Sequence, residues 1–262
     1  MNYSAFELQI EEGVAIVTLA QPQRGNPFDG AFCSEFAAIA NRLAVDHDVR
    51  AVLIRARGPY FSVGGDIQQF VAHLDDLPSR IQEWTSTLHM GLARLARLDA
   101  PVIACVEGVA MGGAVALIAS CDLVYCGRSV KLGAAYTSIG YSCDAGASQA
   151  LAQRMGLARA RRYLLLGESL KGEHAEQVGL VDFCVDDAQV WDTALAQARA
   201  LANGPTRAYG QIRRLMARAL SQPLELQLED EAQGLARIAA SEDAREGLRA
   251  FIDKRKPAFR GC

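Results

Sequence analysis

Two glycine pairs stand where strands give way to helices. Gly64-Gly65 lies in Gly58-Pro59-Tyr60-Phe61-Ser62-Val63-Gly64-Gly65-Asp66-Ile67. Gly112-Gly113 lies in Glu107-Gly108-Val109-Ala110-Met111-Gly112-Gly113-Ala114-Val115-Ala116. Glycine lets a backbone come close to a ligand and turn its N–H groups outward. A helix start adds unpaired N–H groups and the positive end of the helix dipole. Such an end stabilises an anion, or an oxygen that is becoming one. Each turn also has a plain packing use, as a tight strand-to-helix turn or a close helix–sheet approach. Neither is a P-loop, since no GK[ST] follows and GxGxxG is absent, so nucleotide phosphate is not the natural ligand. Hydrolysis by a Ser-His-Asp triad lacks its GxSxG elbow. One N–H from each turn would form a paired oxyanion hole. That favours an enolate or a tetrahedral oxyanion, with protons moved by a carboxylate or histidine on a nearby loop. Asp66 is placed to cap the helix that follows.

The elements that must position these turns read as an α/β core. Residues 6–10 and 14–19 alternate or are β-rich, with Glu12-Gly13 as a hairpin turn between them. Residues 21–30 form a loop. Apolar spacing predicts a helix over 31–45, and 51–56 is a buried strand. Residues 57–65 read as a loop, and a helix opens near Asp66. A long amphipathic helix over 79–98, a strand over 101–106, a turn over 108–113, a helix over 114–120 and a strand over 123–126 complete the first half. This β-β-α-β-α-β-α-β order argues for a sheet covered by helices. From Gln149 onward helix formers dominate, and only 180–185 reads as a strand. No linker, low-complexity segment or internal repeat is visible.

Composition sets the outer limits. The 262 residues carry 22% charged and 50% hydrophobic side chains, with net charge −3, which excludes disorder and collagen-like architecture. A near-neutral balance gives no general field for nucleic acid or an acidic membrane. The most apolar stretch, 101–126, is interrupted by Glu107 and Asp122 and is too short between them to span a bilayer. The first nineteen residues lack the basic and apolar regions of a signal peptide. Cytoplasmic residence is therefore expected. The seven cysteines (33, 105, 121, 126, 143, 184 and 262) contain no CxxC pair and read as free thiols. With the four histidines (47, 73, 89 and 174) scattered, no metal site is expected. Residues 245–262 hold six Lys/Arg against two Asp/Glu, a local basic excess.

The two turns at their mutual distance resemble the enoyl-CoA hydratase/isomerase (crotonase) superfamily. That family carries FSxGxD, matched by Phe61 to Asp66, and P-V-I-A-x-V-x-G-x-A-x-G-G, matched by Pro101 to Gly113. Cys121-Asp122-Leu123-Val124, Gly179-Leu180-Val181-Asp182 and Phe251 to Phe259 match as well. The resemblance implies a crotonase-like α/β fold (the ClpP/crotonase type): a repeated ββα core over 1–200 and a helical trimerisation region over 201–262. It implies an acyl-CoA thioester as ligand, with no permanently bound cofactor and coenzyme A as part of the substrate. It places the oxyanion donors at the N–H groups of Gly65 and Gly113. Arg24, Asn26 and the backbone of Val63, Gly64, Gly65, Asp66 and Ile67 would hold the coenzyme A nucleotide. Lys254 would meet a coenzyme A phosphate, often that of a neighbouring subunit in a homotrimer or dimer of trimers. Pocket residues for the acyl chain are expected from 67–84 and from the C-terminal helices.

Family membership does not fix the reaction. Hydratases of this family use two glutamates, and the matching positions here are Ala116 and Tyr136. The loop Ala134 to Ser148 instead resembles the segment of family isomerases that carries an aspartate, which falls on Asp144; Cys143 departs from that segment's proline. The resemblance implies Δ3-to-Δ2 enoyl-CoA isomerisation, with Asp144 as acid and base. The same position is the nucleophile of the aryl-CoA dehalogenases, where a histidine at the place of His89 is the general base. Hydratase-like chemistry, acyl- or aryl-CoA hydrolysis and non-catalytic acyl-CoA binding stand as alternatives. Tyr136 reads as a pocket wall that could hydrogen-bond.

Overall fold

The computed structural model describes residues 3–262. The chain opens with β1 (Phe6–Glu11) and β2 (Val14–Leu19), joined by the expected tight turn, and continues into α1 (Gly30–Val45). Three successive units then repeat one plan. β3 (Ala51–Ala56) and β4 (Tyr60–Ser62) lead to α2 (Ile67–Ala72) and α3 (Leu77–Leu95). β5 (Val102–Val106) and β6 (Val109–Met111) lead to α4 (Gly113–Ala119). β7 (Leu123–Gly127) and β8 (Lys131–Gly133) lead to α5 (Ala147–Met155) and α6 (Leu157–Leu166). β9 (Ser169–Lys171), α7 (Gly172–Gln177), β10 (Phe183–Val185) and α8 (Val190–Ala202) close the core. α9 (Thr206–Met216), α10 (Leu224–Ala239) and α11 (Glu242–Ile252) follow.

The first strand of each unit enters a six-stranded sheet of order β1-β2-β3-β5-β7-β10, and the second enters a four-stranded sheet of order β4-β6-β8-β9. Pairing is parallel except for β1 with β2 and β8 with β9. β3 and β5, apart from Arg55, are buried almost throughout, as parallel strands covered on both faces must be. One face packs on α1, α3 and α4 through residues such as Phe32, Phe36, Leu88 and Leu117. The other face takes α8, whose Val190, Ala194, Ala198 and Ala202 recur every four residues on one side.

The structure is α/β, as the β-α order implies, and its successive strand–strand–helix units bear out the repeated ββα core that the family resemblance implies. Residues 57–65 and 108–113 are not simply a loop and a turn. Each contributes a three-residue strand, so an internal structural repeat exists where none is visible in the sequence. The strand expected over 180–185 shortens to β10, because Leu180 and Val181 are buried in the turn after α7. The C-terminal part is helical, and α10 and α11 leave Leu228, Leu235, Leu248, Phe251 and Ile252 exposed. Among the described residues no helix is long and apolar enough to cross a membrane.

Candidate active site

The glycine turns meet because β4 and β6 are adjacent parallel strands. Phe28 docks beside the first turn, donating its N–H to the Gly64 carbonyl at 2.7 Å and accepting from the Asp66 N–H at 3.4 Å. A strand alternates its hydrogen-bonding edges, so the Gly65 N–H is turned away from Phe28. The second turn is held by the Gly112 N–H, which donates to Gly133 at 2.9 Å. Gly112 has φ 54° and ψ −123°, a conformation reserved for glycine. Gly113 is then the first residue of α4, where an N–H has no intrahelical partner. Among the described residues neither the Gly65 nor the Gly113 N–H has an acceptor in the protein. Both residues line the same cavity, of about 350 Å³.

Gly64 binds the two turns to each other. Its φ is 82°, and a Cβ there would lie 2.7 Å from the Met111 carbonyl oxygen. The backbones of the two donor turns therefore touch where only a hydrogen fits.

Asp144 faces this pair of donors. Its Oδ1 lies 3.4 Å from where a Cβ on Gly113 would stand, and it accepts a hydrogen bond from the Tyr136 hydroxyl at 3.2 Å. Burial pushes the Asp144 carboxyl above the usual carboxylate range, against the opposing pulls of the Tyr136 hydrogen bond and the nearby His89. Burial and then the Asp144 charge raise the Tyr136 hydroxyl, so it remains a donor. Cys33 also lines the cavity, but burial pushes its thiol up to about 12, which keeps it from acting as a thiolate nucleophile at neutral pH.

His89 serves the loop from behind. Its Nε2 accepts the backbone N–H of Ala145 at 3.1 Å. Ala145 is buried and has φ 51°, in the left-handed region. The lone pair that a general base would use is thus taken up in fixing the residue next to Asp144, which speaks against the hydrolytic role. Removing the ring leaves a buried N–H unpaired, at about 1–3 kcal/mol. H89A is accordingly expected to lower the unfolding free energy by that amount in chemical denaturation. H89Q, which restores an acceptor, should recover part of it. Equal stability of H89A and the parent would remove this role.

The remaining expected ligand residues divide. Val63, Gly64 and Ile67 line the cavity, with Val63 and Ile67 presenting apolar side chains at its rim. Asp66 faces inward: Oδ1 caps α2 by accepting from Gln69 at 3.1 Å, and Oδ2 pairs with Arg24 at 2.5 Å. Arg24 also pairs with Asp29 at 2.9 Å. The Asn26 side chain is turned into the protein, which leaves the backbone of its loop for the expected ligand contact. Its Oδ1 accepts from the Gln21 N–H, and its Nδ2 donates to the carbonyls of Arg57 and Tyr60, so the side chain is spent on holding the loop. Lys254 is exposed in the turn after α11 and does not line the cavity. The apolar end of the cavity is built by Phe70, Ile81 and Trp84, within the 67–84 region expected to line an acyl pocket, and by Ile139 and Tyr141. The C-terminal helices, expected to contribute, supply no lining residue of this chain. Phe28 and Met111 were not singled out by sequence reasoning. Their signal lay only in adjacency to the glycine turns.

Comparison with known proteins places this geometry. The family model described as enoyl-CoA hydratase/isomerase matches residues 9–262. A Rhodobacter capsulatus protein named "Probable enoyl-CoA hydratase" is 32% identical over 261 residues, covering 100% of both chains. The 1,2-epoxyphenylacetyl-CoA isomerase of Escherichia coli is 33% identical over 256 residues, covering 96% of this chain and 97% of its own. The crystal structure of an enoyl-CoA hydratase from Polaromonas superposes with TM-score 0.93 at 28% identity, over 98% of this chain and 100% of that one. With that match over most of its length, and with two glycine N–H groups unpaired among the described residues beside a half-buried carboxylate, the chain belongs to the enoyl-CoA hydratase/isomerase family.

Proposed function

We propose that the protein is an enoyl-CoA isomerase that moves a double bond from C3 to C2 of an acyl-CoA thioester. The observation that carries this reading is a single carboxylate at the donors. Asp144 is present, while the two positions that hydratases fill with glutamate are the buried Ala116 and the half-buried Tyr136. Adding water across a double bond by the two-glutamate route calls for one group to activate the water and a second to deliver the proton. Moving one proton between two carbons of the same substrate needs one group that takes it and returns it. The E. coli relative named as an isomerase supports this side, and the relatives named as hydratases share the fold and the family.

The thioester oxygen lies between the N–H groups of Gly65 and Gly113. The Asp144 carboxylate removes a proton from C2, and the electrons of that C–H bond spread over C2 to C4 and the thioester oxygen as a dienolate. Asp144, now protonated, delivers the proton to C4, and the double bond remains between C2 and C3. Each oxyanion donor is worth about 3 kcal/mol of barrier. A carboxyl raised by burial suits both halves of the transfer. Coenzyme A enters as part of the substrate. Its nucleotide is assigned to the Val63–Ile67 backbone and Arg24, and to Lys254 of a neighbouring subunit. The exposed apolar side chains of α10 and α11 support residues 201–262 as the assembly region of a homotrimer or dimer of trimers, packed on the 1–200 core.

Incubation with a 3-enoyl-CoA in deuterated water, followed by mass spectrometry and chromatography, tests the reaction. The expected product is the 2-enoyl isomer without addition of water. Accumulation of a 3-hydroxyacyl-CoA would move the assignment to hydration. A covalent acyl adduct on Asp144 would move it to nucleophilic chemistry.

A further inference from the structure

The acyl end of the cavity has a shape and a chemistry of its own. Phe70 of α2 lies against Gly65, its Cζ 2.8 Å from where a Cβ on that glycine would stand. Its ring runs nearly parallel to Trp84 of α3, with centroids 6.4 Å apart and planes at 26°. Tyr141, from the loop that carries Asp144, meets Phe70 edge-on, at 5.9 Å and 86°. The three rings come from three separate elements and make a right-angled corner just beyond the donors.

This corner holds no cationic side chain among the described residues. Asp144 is the only lining residue with a formal charge, and no Lys or Arg faces the cavity among the described residues. The hydroxyls of Thr85 and Ser138 are turned to their own backbone, donating to the carbonyls of Ile81 and Ala135 at 2.6 Å. An acyl group ending in a carboxylate would be desolvated there with no cation to meet it. Size narrows the choice further. An apolar cavity of about 150 Å³ holds one benzene ring. The volume here, about 350 Å³, takes a ring together with the thioester and the carbons between.

We propose that the substrate is an uncharged, ring-bearing acyl-CoA, whose ring lies in the corner formed by Phe70, Trp84 and Tyr141. A flat or nearly flat ring in a right-angled aromatic corner stacks on one face and meets the other edge-on, the two favoured arrangements of ring pairs. This assignment rests on the cavity being the acyl-CoA site of the reading above and names the substrate class within it.

The test measures binding without turnover. Phenylacetyl-CoA and octanoyl-CoA have the same number of acyl carbons and differ in the flat ring. Calorimetric titration of the full-length protein is expected to give a Kd at least fivefold lower for the phenyl thioester. F70L and W84L should bring the ratio below twofold while free coenzyme A binds each variant as it binds the parent. A preference below fivefold in the parent, or its persistence in both variants, overturns the proposal. Because neither ligand can isomerise, a protein that binds with this preference but fails to isomerise cyclohex-1-enylacetyl-CoA would refute the reaction and leave the substrate class standing.

Discussion

Replacing Asp144 by asparagine is expected to cut the isomerase kcat by about 10³-fold, within the span attributed to a positioned acid–base group. The affinity for a saturated acyl-CoA should stay within a few-fold of the parent, because the two glycine donors and the cavity are unaltered. Stability should move the other way. Burial raises the Asp144 carboxyl in the folded chain. The folded state therefore holds its proton more tightly than the unfolded state does. Stability is accordingly lost as pH rises from the unfolded carboxyl's range through the raised value. At neutral pH the buried charge is a cost that asparagine removes, so D144N should unfold at higher denaturant than the parent. The parent's kcat/KM should show an acid limb above the usual carboxylate range, since the base must be ionised. A D144N variant with parental kcat would sink the assignment of Asp144. A fall in stability at neutral pH would contradict the burial cost.

The second large effect is expected at Gly64. G64A should lower kcat by about 10²–10³-fold, the loss that follows when one oxyanion donor is misplaced. Left-handed backbone costs alanine about 1–2 kcal/mol. The new Cβ would also stand 2.7 Å from the Met111 carbonyl, backbone against backbone, with no flexible side chain to give way. Relief requires the two turns to separate, which moves Gly65 and Gly113 apart. G140A supplies the comparison. Gly140 has φ 75°, but a Cβ there meets nothing within 4 Å. That variant should show the backbone penalty in a thermal melt with kcat intact. Equal kcat loss in both variants would mean that general destabilisation, not donor spacing, is responsible.

The contrast between these glycines shows what the sequence could carry. The glycine turns, the helix opening after Asp66 and the carboxylate at Asp144 were legible, because each is a local signal or a motif position. The four-stranded sheet was not. β4, β6, β8 and β9 have three residues each, too short for a two-residue period to stand out from a turn. The internal role of the Asn26 side chain was not legible, because its partners Arg57 and Tyr60 are more than thirty residues away. The aromatic corner is likewise assembled from α2, α3 and the loop before α5, and no spacing within one segment announces it. His89 was visible as a candidate, but its work on the Ala145 backbone depends on the strained φ that it helps to hold.

The repeated plan of the core has a consequence for how such a catalyst can change. In the proposed mechanism the first two strand–strand–helix units supply only main-chain atoms to the reacting centre, through Gly65 and Gly113. The third supplies Asp144, the side chain to which that mechanism gives the proton transfer. Main-chain donors are indifferent to most neighbouring substitutions as long as the glycines remain, so the electrostatic trap is inherited with the fold. The identity of the acid–base group rests on one loop, residues 134–146, whose remaking need not disturb either sheet. Division of labour between units thus separates what must be kept from what is free to diversify, and new reactions on the same thioester lie within reach of changes confined to that loop.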